Sequence, residues 1–192
     1  MGNVAIEVRP VGPGQWKDVE RLFGPSGAYS GCWCMWWRVP SKQFAANGNA
    51  GNKSGLREVV GKGEPVGLLA YEAGEPVGWM ALAPREAYPR VQRSRELKPR
   101  TEEAGVWAVT CFFIDRTKRR IGVAAALLDA AAGYARDGGA SIVEGYPVDT
   151  EEGKAADLFT GTVNLFARAG FAVHERPATG RRVIMRRPVS DR

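Results

Sequence analysis

The 192-residue chain is poor in the residues that build disulfide and metal sites, with only three cysteines and one histidine. An odd number of thiols, two of them one residue apart at Cys32 and Cys34, does not make a disulfide framework. Zinc usually takes four ligands, and no second pair of residues complements the Cys-x-Cys pair. We therefore expect no metal site.

Long apolar runs are also absent. No stretch of eighteen apolar residues occurs, as a membrane-spanning helix requires, and the first ten residues lack the basic and apolar regions of a secretory signal. Helix-turn-helix, zinc-finger and ribonucleoprotein aromatic motifs are missing as well. We therefore expect a cytoplasmic protein whose partners include neither a membrane nor a nucleic acid.

What is present fits one folded unit. Hydrophobic residues make up 44% of the chain, enough for one sizeable core, and no stretch resembles a linker, so we predict a single domain over residues 1–192. The net charge of +6 leaves open a basic nucleic-acid-binding surface or attraction of a phosphorylated small molecule. One Pro-flanked basic stretch is interrupted by Glu96, and we interpret it as a solvated loop; its members are Arg90, Arg93, Arg95, Lys98 and Arg100.

Residues 106–136 run from an apolar strand through a basic turn into a helix. Val106–Ile114 is rich in β-branched and aromatic residues, and from Val123 apolar residues recur every three or four positions. A helix start offers unpaired N–H groups and a positive dipole end, and Gly122 leaves room for close approach of an anion. The alternative is a basic surface turn. The segment is typical of a phosphate-binding strand, turn and helix.

The six residues Arg119, Arg120, Ile121, Gly122, Val123 and Ala124 match the pattern Arg/Gln-x-x-Gly-x-Gly/Ala. In this setting the chain resembles the GCN5-related N-acetyltransferases. That resemblance implies an α/β fold with a mixed, mostly antiparallel sheet, a splayed parallel central strand pair and flanking helices. It also implies acetyl-coenzyme A as donor, with its pyrophosphate on these six residues and its pantetheine arm along the backbone of Phe112, Phe113 and Ile114. Dimers are common in the family, so a homodimer is possible.

A second block supports the resemblance. Residues 158–171 resemble the later helix of the family, which ends in Gly-Phe, here Gly170-Phe171. Gly161 indicates either that this helix starts at Thr162 or that a ligand approaches closely there. The family often has a tyrosine, a general acid toward the departing thiolate, where this chain has Phe166. No hydroxyl at this position can perform that role.

The remaining predicted elements follow the order of strands in the family. Core motifs cover about residues 64–187, whereas residues 1–63 would supply an N-terminal strand, a helix and the acceptor-site region. The predicted elements are a strand at 4–8, a helix at 13–23, a short helix at 56–60 after a Gly/Asn-rich stretch, a hairpin of strands at 66–71 and 77–83, a strand at 141–146 parallel to Val106–Ile114, and a hairpin of strands at 171–175 and 182–186.

The catalytic residues are less clearly indicated, because Val106–Ile114 contains no carboxylate. Glu144 is the best-placed proton acceptor by sequence, with an outward-facing or salt-bridged core acid as the alternatives. Tyr146 is a candidate acid or substrate contact, and Glu72 and Asp149 are weaker options. We interpret Cys111 as a buried small hydrophobe rather than a nucleophile, since no histidine stands in sequence context to activate it.

Residues 31–38 hold three tryptophans, Trp33, Trp36 and Trp37. They form either a core plug or, because this region covers the acceptor site in the resembled family, a wall of the acceptor pocket. Aromatic walls would favour an apolar or cationic amine.

We therefore predict an N-acetyltransferase that moves an acetyl group from acetyl-coenzyme A to a primary amine of a small molecule or peptide, in a ternary complex. The alternative is a non-catalytic module that binds or senses acyl-coenzyme A.

Overall fold

A computed structural model of the chain describes residues 5–100, 102–149 and 158–189. Within these ranges the strands are β1 (Ile6–Pro10), β2 (Gly67–Glu72), β3 (Glu75–Pro84), β4 (Val106–Ile114), β5 (Ile142–Gly145), β6 (Ala172–Glu175) and β7 (Ile184–Pro188). The helices are α1 (Trp16–Phe23), α2 (Ser41–Gly61), α3 (Pro89–Arg93), α4 (Val123–Asp137) and α5 (Val163–Arg168). None of these helices is both long and apolar enough to span a membrane.

The strands form one mixed sheet in the order β1-β2-β3-β4-β5-β7-β6. Neighbouring strands are antiparallel except for β4 and β5, which run parallel and are connected through α4. A parallel pair needs such a crossover, whereas β2 and β3 are joined by a tight turn. The mixed α/β sheet with its parallel central pair is thus confirmed.

The turn between β2 and β3 shows why this hairpin was predictable. Ala73 and Gly74 have φ angles of +49° and +84°. Two-residue hairpin loops of this kind require positive φ at both positions, because their twist then matches that of the strands. The resulting hairpin places β3 beside β4.

The parallel pair separates where β4 passes its midpoint. The register of β3 against β4 shifts between Ala81 and Leu82, so that Thr110 is an extra residue on β4. Pairing of β4 with β5 ends at Val109 and Gly145. Beyond this point the backbone N–H of Phe112 donates to the carbonyl of Phe159 at 2.7 Å, so a separate segment faces the free edge of β4.

Helices cover both faces of the sheet. On one face Leu127 of α4 and Phe166 of α5 pack into a fully buried cluster with Val143. On the other, Val19 of α1 and Leu56 of α2 pack with strand residues and are fully buried. The sheet therefore separates a face with α4 and α5 from a face with α1 and α2.

Helix α2 differs most from the prediction, which placed only a short helix at 56–60. The Gly/Asn-rich residues 47–52 lie inside α2, which kinks at Gly48 with φ +55° and ψ −164°. Their side chains bind the preceding loop: the buried Asn52 amide donates to the Gly31 carbonyl at 3.0 Å, and Asn49 accepts from the Trp33 indole at 2.6 Å. These tertiary hydrogen bonds outweigh the low helix propensity of glycine and asparagine.

Smaller differences concern the ends of elements. A 3-10 turn at Pro13–Gln15 precedes α1, and β1 begins later than predicted, with residue 4 of the prediction outside the described residues. The final hairpin of β6 and β7 is antiparallel as predicted, and β7 is the strand that pairs with β5.

Candidate active site

A cleft of about 760 Å³ opens between the free edge of β4, the start of α4 and residues 158–169. Seven of the nine predicted coenzyme-binding residues line it: Phe112, Ile114, Arg119, Arg120, Gly122, Val123 and Ala124. The Phe113 side chain instead packs on the opposite face of the sheet, 5.6 Å from the ring of Phe23, and Ile121 is exposed. A cleft of this size is within the usual range for small-molecule sites.

The turn into α4 exposes its backbone to this cleft. Gly122 precedes the helix in the left-handed conformation, with φ +92°, and provides no side-chain cap. An added Cβ at Gly122 would meet no atom within 4 Å. Because the first N–H groups of a helix have no partner within it, those of the first turn of α4 are available to an anion.

Positive charge surrounds this turn. Lys118, Arg119, Arg120 and Arg168 line the cleft, and Asp129 is the one acidic residue among the described residues that line it. Lys118 forms an ion pair with Glu72, whereas Arg119 and Arg120 form none with the described part of the chain. These two guanidinium groups can therefore bind phosphoryl oxygens.

The opposite wall is built by α5 and the residues before it. Thr162 caps α5, its hydroxyl accepting from the Leu165 N–H at 3.3 Å, so the helix starts beside Gly161, as one of the two sequence alternatives predicted. Gly161 has φ +83°, and an added Cβ would lie 2.8 Å from the Phe166 ring. Phe166 is fully buried and makes edge contacts with Phe112 and Phe171, so it is a core residue.

The predicted catalytic pair lies together in a buried ionic network. Glu144, on β5, is 2% exposed, and it accepts from the Tyr146 hydroxyl at 2.6 Å and from Arg186 Nε at 2.7 Å. Arg85 Nη1 lies 3.5 Å from the same carboxylate. Burial, together with the Glu144 carboxylate, raises the pKa of the Tyr146 hydroxyl well above its usual range. The carboxylate is thus surrounded by donors, which matches the salt-bridged core acid of the sequence analysis.

The weaker candidates lie apart from the cleft or have other partners. Glu72 pairs with Lys118, and Asp149 pairs with Arg176. The one histidine of the sequence, His174, is an exposed residue of the edge strand β6. Cys111 is half-buried, with its sulfur 3.6 Å from that of Cys34 and no histidine beside it in the described structure.

The tryptophan cluster divides between the core and a second cavity. Trp33 is 2% exposed, stacks 6.0 Å from Trp16 and donates its indole N–H to Asn49. Positive φ angles at Trp33 and Cys34 turn the backbone so that the next indoles face elsewhere. Packing therefore places Trp33 in the core, as the core-plug alternative described.

Trp36 and Trp37 line the second cavity, of about 480 Å³, between the start of α2 and α3. Arg182 also lines this cavity, and its guanidinium carbon lies 5.6 Å from the Trp37 ring and 5.7 Å from the Phe159 ring. Phe159 in turn lines the cleft beside β4. A wall residue of the second cavity, Arg182, thus lies against a wall residue of the cleft, Phe159.

Sequence reasoning missed three residues near this second cavity. Arg90 and Arg182 lie far from each other along the chain, and only the fold brings them to the tryptophans. Tyr88 is fully buried beside Trp37 and Tyr146, and its hydroxyl has no hydrogen-bond partner among the described residues. A basic, Pro-flanked stretch was the only signal, and we interpreted it as solvated.

Among the described residues, no group of three or more histidine, cysteine or acidic side chains is placed to hold a metal ion. Cys34 lies beside Cys111, the Cys32 thiol lies 3.8 Å from the Gly27 carbonyl, and none of the three cysteines forms a disulfide.

Comparison with solved structures supports the same fold. The chain aligns over 96% of its length with 99% of the PaiA N-acetyltransferase of Thermoplasma acidophilum in complex with coenzyme A, at 11% identity and a TM-score of 0.56. It aligns over 98% of its length with 96% of YncA of Salmonella typhimurium with its cofactor acetyl-CoA, at 14% identity and a TM-score of 0.53. The aminoglycoside acetyltransferase AAC(6')-Ib, in complex with coenzyme A and kanamycin, matches at 14% identity over 96% of this chain and 95% of that one, with a TM-score of 0.56.

No curated protein gives a significant match to the chain. A family model described as the acetyltransferase (GNAT) family matches residues 33–171, well over half of the sequence. Together with the splayed parallel strands and the glycine turn before α4, this match shows that the chain belongs to the acetyltransferase (GNAT) family.

Proposed function

We propose that the protein transfers an acetyl group from acetyl-coenzyme A to a primary amine of a small molecule or peptide, both bound at once. The observation that carries this proposal is the pair of cavities whose walls meet where Arg182 lies against Phe159. One is lined by the basic glycine turn before α4 and the other by tryptophan and arginine side chains. A donor in the first cavity and an amine in the second would approach each other at the splayed ends of β4 and β5.

The donor cleft fits the coenzyme. The N–H groups of the first turn of α4, with Arg119 and Arg120, would hold its pyrophosphate, and the open space beside Gly122 admits close approach. The free edge of β4 would pair with the pantetheine arm. The Phe112 N–H, which donates to Phe159 in this conformation, is the donor on that edge for which the arm would compete.

In the proposed transfer the amine nitrogen bonds to the thioester carbonyl carbon and the carbon–sulfur bond breaks. The amine releases a proton, and the departing thiolate accepts one. Backbone N–H groups of β4 near the Thr110 bulge would stabilise the oxyanion. A free lysine-like amine has a pKa near 10.4, so only about one molecule in 2,500 is nucleophilic at pH 7, and proton removal assists the reaction.

The sequence analysis placed Glu144 as the proton acceptor, acting through water. Because Arg186 and Tyr146 already donate to its two oxygens, the geometry favours a positioning role, in which Glu144 holds the Tyr146 ring at the end of β5. Tyr146 is fully buried and lines neither cavity, so we propose that both residues of this pair position the end of β5 rather than contact the reacting groups.

Isothermal titration with acetyl-coenzyme A tests the donor site. Gly122→Glu should weaken binding at least tenfold, because a carboxylate would occupy the phosphate position. Gly139→Glu is the matched control: Gly139, just beyond the other end of α4, has φ +87° and likewise nothing within 4 Å of an added Cβ. Gly139→Glu should bind as the native protein does. A native protein that does not bind, or equal affinity in the two variants, would overturn the proposal.

A non-catalytic acyl-coenzyme A sensor is the second candidate. It is favoured by Phe166, which has no hydroxyl to donate, and by the saturated Glu144 carboxylate. Release of coenzyme A thiol in the presence of amines distinguishes the two, since a sensor binds the donor without turnover.

A further inference from the structure

We propose that the amine acceptor also carries an anionic oxygen group, a carboxylate or a phosphate, which binds the arginines of the second cavity. This inference rests on the proposed acetyl transfer and specifies the chemistry of its acceptor. It replaces the apolar or cationic amine that the aromatic residues alone had indicated.

The charge of the second cavity is the first observation. Three arginines line it, and no acidic side chain does among the described residues. The other lining residues are neutral. We call this cavity the arginine pocket, after its three arginines, Arg90, Arg93 and Arg182. A cationic acceptor entering the arginine pocket would meet like charge without a carboxylate to offset it.

The tryptophan faces are already occupied by the protein itself. The Arg90 guanidinium carbon lies 3.9 Å from the centroid of the Trp36 ring, and that of Arg182 lies 5.6 Å from the centroid of Trp37. A cationic ligand could stack on these faces only by displacing a guanidinium group. The rings therefore orient the arginines rather than offering a site for a cation.

The arginines retain unused hydrogen-bond donors. Arg90 Nε donates to the Val39 carbonyl at 2.8 Å, but its Nη2 is buried without a partner, and burial lowers the pKa of this guanidinium. Arg182 Nε is also buried without a partner. Buried donors left unpaired destabilise a protein, and more so when they belong to a charged group, so an oxyanion is the ligand suited to pair with both.

Neighbouring carboxylates do not neutralise the arginine pocket. Glu96 is the one described acidic residue within ion-pair distance of any of its members, 3.7 Å from Arg182, and it also accepts from the Arg182 backbone N–H at 2.9 Å. Arg90 and Arg93 have no ion pair with the described residues. The arginine pocket therefore keeps a net positive charge. The Arg182 guanidinium places part of this charge next to Phe159, a wall residue of the donor cleft.

Reaction products test this inference without requiring turnover. We would titrate the full chain with N-acetyl-L-phenylalanine and with its amide, and with N-acetyl-O-phosphoethanolamine and N-acetylethanolamine, following tryptophan fluorescence. Each pair differs only in the anionic group. At least one anion should bind tenfold or more tightly than its neutral partner, and the pair that shows this identifies carboxylate or phosphate as the recognised group.

Variants assign the effect to the pocket. Arg90→Gln and, separately, Arg93→Gln should reduce the preference for the anion at least fivefold, whereas Arg95→Gln, an exposed arginine outside the cavity, should leave it unchanged. Because Arg93 is exposed, Arg93→Gln should fold normally, and it tests the preference for the anion even if Arg90→Gln folds poorly. Equal affinity within both pairs, or a preference that survives in Arg93→Gln and a folded Arg90→Gln, overturns the proposal. Titration of the same samples with acetyl-coenzyme A shows separately whether the proposed donor site binds the coenzyme.

Discussion

Single residues set the local chemistry, and Glu144 is the clearest case. Its carboxylate is 2% exposed and accepts hydrogen bonds from Tyr146 and Arg186, with Arg85 nearby. We predict that Glu144→Gln lowers the free energy of unfolding by about 3 kcal/mol, because it leaves buried guanidinium charge uncompensated. Urea denaturation measures this change, and a loss below about 1 kcal/mol would contradict the described network.

Cys32 provides a second test at this scale. A hydrogen bond from the Cys34 thiol lowers the pKa of the half-buried Cys32 thiol to about 6. Since the thiolate is the nucleophile and forms above the pKa, alkylation by iodoacetamide should accelerate as the pH rises through about 6 and level off near neutrality. Cys32→Ser should abolish this fast phase. An inflection near 8.5, as for an ordinary thiol, would show that the Cys34 contact does not act in this way.

At the scale of elements, the packing of α5 on β5 depends on Gly145. A Cβ added there would overlap the ring of Phe166. We predict that Gly145→Ala destabilises the protein by about 2 kcal/mol, as overpacking of a core does, and that Phe166→Leu in the same chain restores part of the loss.

The same substitution at a glycine of α4, Gly133, should change the stability of the protein in the opposite direction. At Gly133 an added Cβ would meet only the tip of Arg136, at 4.0 Å. Gly133→Ala should therefore stabilise the helix by about 0.5–1 kcal/mol. Thermal unfolding compares the two alanine variants, and similar shifts in both would refute the proposed role of the Phe166 contact.

Elements with local signals could be predicted from the sequence. The bounds of β4 match the prediction, because a β-branched and aromatic run ends at a polar turn. The start of α4 after Gly122 and the cap of α5 at Thr162 also follow from residues within one turn of the helix start. These are the elements that build the donor cleft, so that half of the site was accessible from the sequence.

The acceptor half of the site could not be predicted from the sequence, because contacts between residues far apart along the chain define it. Helix α2 includes glycines and asparagines whose hydrogen bonds reach the loop at Gly31 and Trp33. The division of the tryptophans depends on backbone turns with positive φ at Trp33 and Cys34, and these residue types rarely adopt that conformation. Arg182 meets Trp37 only after the last hairpin closes the sheet.

At the scale of the whole molecule, part of the net charge of +6 is concentrated at the donor cleft. Four cationic side chains line that cleft: Lys118, Arg119, Arg120 and Arg168. Raising the ionic strength from about 0.1 M to about 1 M shortens the screening length from about 10 Å to about 3 Å. We predict that acetyl-coenzyme A then binds about tenfold more weakly, whereas uncharged pantetheine keeps its affinity. Calorimetric titration at several salt concentrations checks this, and an equal salt dependence for both ligands would rule out the assigned role of these cations.

The Phe159 side chain has a consequence for how the two ligands influence each other. Its ring is a wall of the donor cleft, and it also supports Arg182 in the arginine pocket. A donor that displaces this ring changes the affinity of the acceptor by some factor. Thermodynamic linkage then requires the acceptor to change the affinity of the donor by that same factor, so one aromatic ring sets a single coupling free energy for both binding steps.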